Sequence, residues 1–108
     1  MPAVNIRLRW PDGQETDTYS PSTTVHEYFA VGQSYPLEHF MRLAENALNA
    51  ASERVREVKG FYCSSAMDSL GGLRIRARQY PDPQQCVTVL DIRQYGASPV
   101  NYAAFGDI

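Results

Sequence analysis

The chain has 108 residues, of which 44% are hydrophobic and 20% charged, a composition typical of one globular domain and unlike that of a disordered protein or a coiled coil. Ten basic residues against twelve acidic ones give a net charge of −2, which argues against a dedicated nucleic-acid binder because such domains are usually basic overall. No apolar stretch reaches the roughly 18 residues of a membrane span, and none of signal-peptide length follows Met1, so we expect a cytoplasmic protein.

The first predicted element is a β-hairpin. Residues 4–10 alternate between apolar and polar side chains, which is the period of a half-buried strand, and residues 14–19 alternate again. Between them, Pro11-Asp12-Gly13 has the residue types of a tight turn. Folding the strands about that turn places Trp10 in the core. It also brings opposite charges together on the outer face, in the pairs Arg9–Glu15 and Arg7–Asp17.

Two interpretations stay open for the segment after the hairpin. Thr24 and Glu27 have the spacing of a capping box, which predicts a short helix over residues 25–30. The β-branched residues 23–25 favour extended structure instead. In either case, residues 32–34 are predicted to form a loop.

The longest predicted helix spans Pro36 to Lys59. Pro36 suits the first helical position, where an N–H group is not needed, and Gly60 suits the left-handed position beyond the end. Apolar residues recur at steps of three and four, which predicts one continuous buried stripe. The stripe consists of Leu37, Phe40, Met41, Ala44, Ala47, Leu48, Ala51, Val55 and Val58.

A third helical segment is predicted for residues 66–80, capped by Ser64 or Ser65. Apolar residues alternate with arginines over residues 73–78, which would also fit a strand, and the pair Gly71-Gly72 weakens a helix by about 1 kcal/mol per glycine. We favour the helix, because apolar residues keep helical spacing through the whole segment.

The last predicted strand covers residues 86–95, after a proline-rich break. The alternation changes face between Val89 and Leu90, which indicates a bulge or a strand covered on both sides.

The element order β-β-α-α-β predicts a two-layer α+β domain over residues 1–95, in which the hairpin and the last strand form a small sheet packed against the two main helices. Residues 96–108 form a tail, whose apolar side chains suit docking on its own domain or on a partner. When the helices cover one face of a three-stranded sheet, the other face and two edges stay uncovered. We therefore expect a homodimer.

Cys63 is the one catalytic candidate. It precedes the third helix, where the helix dipole and free N–H groups would favour a thiolate, as in a nucleophile or a redox sensor. The simpler interpretation is a small buried apolar residue at a helix–loop junction. We favour the second interpretation, because no histidine lies near Cys63 in the sequence.

The binding candidates are Arg74, Arg76 and Arg78, which form the one basic cluster of the sequence. On a helix, Arg74 and Arg78 share a face and suit a phosphate group or an acidic partner. The competing interpretation is a solvated surface.

No metal centre or cofactor is predicted. The chain has no phosphate-binding glycine loop, and its histidines and cysteines lack the spacing of a zinc site. These residues are His26, His39, Cys63 and Cys86.

Five short motifs stand in a characteristic order: Arg9-Trp10-Pro11-Asp12-Gly13, Tyr19-Ser20-Pro21-Ser22, Tyr35-Pro36-Leu37 with Phe40, Ser52-x-Arg54-Val55 and Gly60-Phe61-x-Cys63-Ser64. In order and spacing they resemble a family of small bacterial nitrogen-starvation response proteins, over residues 4–92. The resemblance implies a gene cluster linked to nitrile or cyanide assimilation, which also encodes a nitrilase, a radical-SAM protein, an acetyltransferase-like protein and a flavoprotein. It implies no catalytic residue.

From the residues and this resemblance we expect a non-enzymatic accessory or interaction protein that acts with the enzymes of that cluster. The alternative is a small enzyme, or a ligand-binding or redox-sensing domain, that uses Cys63.

Overall fold

A computed structural model describes residues 3–60 and 64–94 of the chain. It confirms the predicted α+β class, with two helices packed against one face of an antiparallel sheet. The strand order is β2-β1-β4-β3, and every neighbouring pair is antiparallel. The strands are β1 (Val4–Arg9), β2 (Glu15–Ser20), β3 (Ser34–Pro36) and β4 (Cys86–Gln94), and the helices are α1 (Leu37–Lys59) and α2 (Ser65–Ala77).

The β1–β2 hairpin has the predicted register. Its outer face carries the two predicted ion pairs, Arg7–Asp17 at 3.0 Å and Arg9–Glu15 at 3.1 Å. The turn closes where the Gly13 N–H donates to the Trp10 carbonyl at 2.8 Å, with a Gly13 φ of 87° that favours glycine. The turn thus determines which side chains of both strands face the core.

The predicted bulge is present in β4. Leu8 pairs with Val89, whereas its neighbour Arg7 pairs with Asp91, so Leu90 is the extra residue. The extra residue shifts the alternation by one position. For this reason Val89 and Ile92 both face the core, although they are three residues apart.

A short strand, β3, runs from Ser34, the last residue of the predicted loop, to Pro36, which was predicted to begin the helix. Ser34 pairs with Thr88 and Pro36 pairs with Cys86, so the sheet has four strands. The Ser34 and Thr88 hydroxyl groups also share a hydrogen bond of 2.7 Å. This pairing depends on a partner far away in the sequence, and three residues are too few to show a strand period by themselves.

Helix α1 begins one residue later than predicted. Pro36 has a ψ of 143° because it is the last residue of β3, and the Leu37 N–H donates to the Gln85 carbonyl at 2.7 Å. Gly60 ends the helix in the predicted left-handed conformation, with a φ of 82°. Up to Val55 the predicted stripe is buried, except that Met41 is partly buried. Val58 is 56% exposed, because the core does not extend to the last turn.

Residues 23–27 form a short 3-10 helix. The segment is therefore helical rather than extended, but the helix lies two to three residues earlier than the predicted range 25–30. The cap is Ser22, whose Oγ accepts a hydrogen bond from the Thr24 N–H at 3.2 Å. The tighter helix buries Val25 in the core. Spacing alone cannot decide whether Ser22 or Thr24 caps this helix, since both serine and threonine suit the cap position.

The structure confirms that residues 65–77 are helical, while the last three residues of the predicted helix lie beyond its end. The Tyr80 N–H donates to the Ala77 carbonyl at 3.2 Å, a tight turn that precedes Pro81. Neither α1 nor α2, the helices of the described chain, is long and apolar enough to cross a membrane.

The sheet face that points away from the helices is polar over the described strands. Besides the two hairpin ion pairs it carries a third between Arg7 and Glu15, and a fourth between Arg93 and Asp91. Ion-paired side chains therefore occupy this face, and only the sheet edges still favour the expected homodimer.

Trp10 lies in the core, as the alternation predicts, and is 2% exposed. We expect Trp10→Ala to lower the free energy of unfolding by about 3–5 kcal/mol, because truncating a large buried aromatic leaves a cavity. Chemical denaturation followed by circular dichroism measures the change. Trp10→Phe keeps a ring at this position and should destabilise less. A Trp10→Ala midpoint close to that of the wild type would contradict the core position.

Candidate functional site

An open groove of about 470 Å³ lies between strand β2 and helix α2 and is here called the β2–α2 groove. It is lined by Trp10, Thr16, Asp17, Thr18, Tyr19, Asp68, Ser69, Gly72, Leu73 and Arg76.

The groove runs along the edge of the sheet. Four consecutive β2 residues, 16–19, line it, although alternate side chains of a strand point to opposite faces. Consecutive residues can share a groove only where it follows the edge of the strand. β2 is an edge strand, since β1 is its one neighbour in the sheet order, and edge strands present backbone groups to new partners.

One hydrogen bond shows how β2 faces the helix. Ser69, on α2, donates through its Oγ to the Tyr19 carbonyl at 2.7 Å. The Tyr19 peptide group therefore points away from β1 and toward the groove. Backbone groups two residues apart in a strand point to the same edge, so the peptide group of Asp17 is oriented toward the groove as well.

Gly72 provides an opening on the helical side of the groove. A Cβ atom at Gly72 would meet nothing within 4 Å, and the same is true of Gly71. Neither glycine has a positive φ, so no backbone or packing requirement explains them within the described chain. A helix-interior glycine costs about 1 kcal/mol relative to alanine. At Gly72 the missing side chain leaves the α2 backbone exposed to the groove.

Two of the lining residues, Trp10 and Arg76, belong to a cluster of aromatic rings and a cation. Trp10 stacks on Tyr80 with ring centroids 5.8 Å apart and planes 9° from parallel. The Arg76 guanidinium lies 5.7 Å from the Trp10 ring centre, which is a cation–π contact. Leu73, buried on α2, also lines the groove.

Arg76 also joins the end of α2 to the turn of the hairpin. Its Nη2 donates to Gln14 Oε1 at 2.7 Å, and its Nε donates to the Tyr80 hydroxyl at 3.1 Å. A further ion pair of 3.7 Å connects it to Asp12. These contacts hold the guanidinium in place, so its main role is to fix the helix against the hairpin.

The protonation states of this cluster follow from its contacts. Partial burial raises the pKa of Tyr80, and the hydrogen bond to Asp12 raises it further. Burial acts to raise the pKa of Asp12 too, but hydrogen bonds from the Gln14 N–H and Tyr80, together with the Arg76 charge, lower it overall. The Tyr80 phenol therefore stays protonated and donates to the Asp12 carboxylate, while its oxygen accepts a hydrogen bond from Arg76.

The three arginines singled out in the sequence do not form one site. Arg74 and Arg78 share a face, as helical spacing predicts, and line a second groove of about 310 Å³ between α1 and α2. Arg74 is paired there with Glu45 at 3.4 Å. Arg76 lies on the other side of α2, in the β2–α2 groove.

The other candidates contribute no site to the described chain. Cys63 lies outside the described residues, so its role as a thiol or as a packing residue stays a prediction. His26, His39 and Cys86 are exposed. Within residues 3–60 and 64–94, no group of three potential metal ligands lies together.

Sequence reasoning missed the β2–α2 groove, because it joins segments about 50 residues apart. One signal was present: the pair Gly71-Gly72 inside a helical pattern, which was interpreted only as a weakness of the helix. A conformationally unnecessary glycine in a helix often marks close approach of another chain.

Tyr80 gives the stability a testable pH dependence. Its pKa is raised in the folded protein, so the unfolded chain loses the phenolic proton first as the pH rises. Stability from Tyr80 is thus full below about pH 10 and declines above it. We expect the unfolding free energy to fall less steeply between about pH 9 and 11 in Tyr80→Phe than in the wild type. Tyr28→Phe is the control for removing a phenol, and identical slopes in all three proteins would contradict the prediction.

Comparison with known proteins gives one result. A family model described as nitrogen starvation-induced protein NitG matches residues 5–92, which include every residue of the β2–α2 groove. No match was found among curated proteins or among solved structures.

Proposed function

The chain belongs to the NitG family of nitrogen starvation-induced proteins, and we propose that it is a non-enzymatic accessory protein which binds another protein through the β2–α2 groove. The observation that carries this proposal is the groove itself: an edge strand whose peptide groups face a helix with an unfilled glycine position.

An extended peptide segment fits this geometry. Residues 16–19 of β2 offer an edge of about 13 Å, the length of four extended residues. A segment added beside β2 would gain main-chain hydrogen bonds from the strand, and pockets for alternate side chains would give specificity. Leu73 and Trp10 border the groove but are only 6% and 2% exposed, so we expect most of the affinity to come from main-chain hydrogen bonds.

The resemblance found in the sequence directs the search for a partner. The resemblance implies a gene cluster that also encodes a nitrilase, a radical-SAM protein, an acetyltransferase-like protein and a flavoprotein. We propose that one of these enzymes, in the cytoplasm, supplies the segment that binds in the groove during nitrogen starvation.

A matched pair of variants tests the proposal. Gly72→Leu places a side chain in the groove, while Gly71→Leu adds the same side chain one position away, at a glycine that does not line the groove. Both changes replace a glycine by a good helix former in open space, so both should leave the fold intact or stabilise it.

Binding of the full-length chain to each purified enzyme of the gene cluster is then measured by isothermal titration calorimetry. We expect at least one enzyme to bind, with affinity lowered roughly tenfold or more by Gly72→Leu and little changed by Gly71→Leu. Equal effects of the two variants, or no binding by any of the enzymes, would contradict the proposal.

The homodimer is a separate proposal that rests on the other sheet edge. β3 pairs with residues 86–88 of β4, and within the described chain no strand pairs with residues 90–94 on the side away from β1. A second copy could continue the sheet there. We expect light scattering at micromolar concentration to give about twice the monomer mass of 12.1 kDa. The monomer mass would contradict the dimer.

A further inference from the structure

We propose that the groove between α1 and α2, here called the α1–α2 groove, binds a carboxylate group through Arg42, Arg74 and Arg78. The groove has a volume of about 310 Å³. It shares no lining residue with the β2–α2 groove, so this inference goes beyond the proposed function and does not rest on it. It assigns a second binding site, with its own class of ligand, to the protein.

The structure adds a third arginine to the two that share a face of α2. Arg74 and Arg78 are one helical turn apart, and the ion pair of 3.4 Å between Arg74 and Glu45 shows which turn of α1 lies opposite them. Arg42 is three residues before Glu45, on the same face of α1. All three arginines therefore line the same groove.

The carboxylates around the groove do not neutralise these arginines. Arg74 donates one of its five N–H groups to Glu45 at 3.4 Å. Arg42 lies 3.9 Å from Glu38, which is beyond hydrogen-bond distance. Within the part of the chain that the structure describes, the Arg78 side chain has no ion pair and no hydrogen bond. The lining thus has three positive charges and two negative ones, and most of the guanidinium N–H groups are open to a ligand.

The excess positive charge is unfavourable while the groove holds no anion. Like charges four residues apart on a helix repel each other, as Arg74 and Arg78 do. The negative end of the α2 dipole offsets part of this repulsion, since both residues lie in or directly after its last turn. Arg42 belongs to α1 and lies far from the negative end of that helix. A bound anion would neutralise the charge that the protein leaves uncompensated.

The lining favours a single carboxylate over a larger anion. One carboxylate balances the one excess charge, and its two oxygens match the planar fork of a guanidinium group. Glu38 and Glu45 also line the groove, and they would repel a more highly charged anion. Met41 and Ala77, both half-buried, offer a small apolar surface between the charged groups. The ligand is therefore a small monocarboxylate or one acidic side chain of a partner protein.

NMR titration of the full-length chain tests the proposal. One pair of probes is butyrate and butyramide, which have the same carbon chain with and without the charge. A second pair, N-acetylglutamate amide and N-acetylglutamine amide, represents a protein side chain. Sodium chloride keeps the ionic strength constant, because simple screening also affects exposed charges. The signals followed are those of the arginine Nε–H groups and of the Met41 methyl group.

We expect at least one of the two carboxylates to shift the signals of Arg42, Arg74 and Arg78 saturably, with a Kd on the order of 1 mM. The neutral amides should give no saturable shift. Tighter binding of butyrate indicates a small-molecule ligand, whereas tighter binding of the glutamate derivative indicates an acidic side chain of a partner.

Two variants that remove the same charge test which arginines bind. Arg78→Gln should weaken binding roughly tenfold or more. Arg54→Gln should bind like the wild type, because Arg54 is an exposed arginine of α1 that pairs with Glu57 at 3.8 Å and does not line the groove. Both positions are exposed, and circular dichroism checks that both variants fold.

Three results would overturn the proposal. The first is the absence of a saturable shift with either carboxylate, and the second is an equal shift with the neutral amides. The third is equal weakening by Arg78→Gln and Arg54→Gln, which would reduce the effect to the net charge of the protein.

Discussion

The packing of Trp10 is the interaction on which the rest of the structure depends. Phe40 of α1 meets the Trp10 ring edge-on at 5.8 Å, Tyr80 stacks on it, and Arg76 of α2 lies over it. The indole N–H donates to the Thr16 hydroxyl on β2 at 2.7 Å. The buried Trp10 side chain thus contacts α1, α2, the turn after α2 and strand β2. Its indole N–H has a hydrogen-bond partner, as a buried tryptophan requires.

The β2–α2 groove follows from how this contact and a second one position the helix. At one end, Arg76 holds α2 to the hairpin turn; at the other, Ser69 bonds to the Tyr19 carbonyl. Between these two attachments α2 presents Gly72, which has no side chain to fill the space. Contacts at both ends therefore hold α2 beside β2 and leave the groove between them.

The parts of this fold that follow from local chemistry could be predicted from the sequence. The hairpin register depends on a turn and on an alternation within a few residues, and the bulge at Leu90 is visible as a change of face. β3 could not be predicted, because Ser34 becomes a strand residue only through Thr88. The groove could not be predicted for the same reason, since neither β2 nor α2 indicates that the other lies beside it. Arg76 is instructive here: the sequence places it in a basic cluster, but contact with Trp10 and Asp12 gives it a structural role.

The family match bears directly on the β2–α2 groove. It covers residues 5–92 and therefore every groove residue from Trp10 to Arg76. An edge strand beside a glycine-bearing helix is a receptor for extended chain in general.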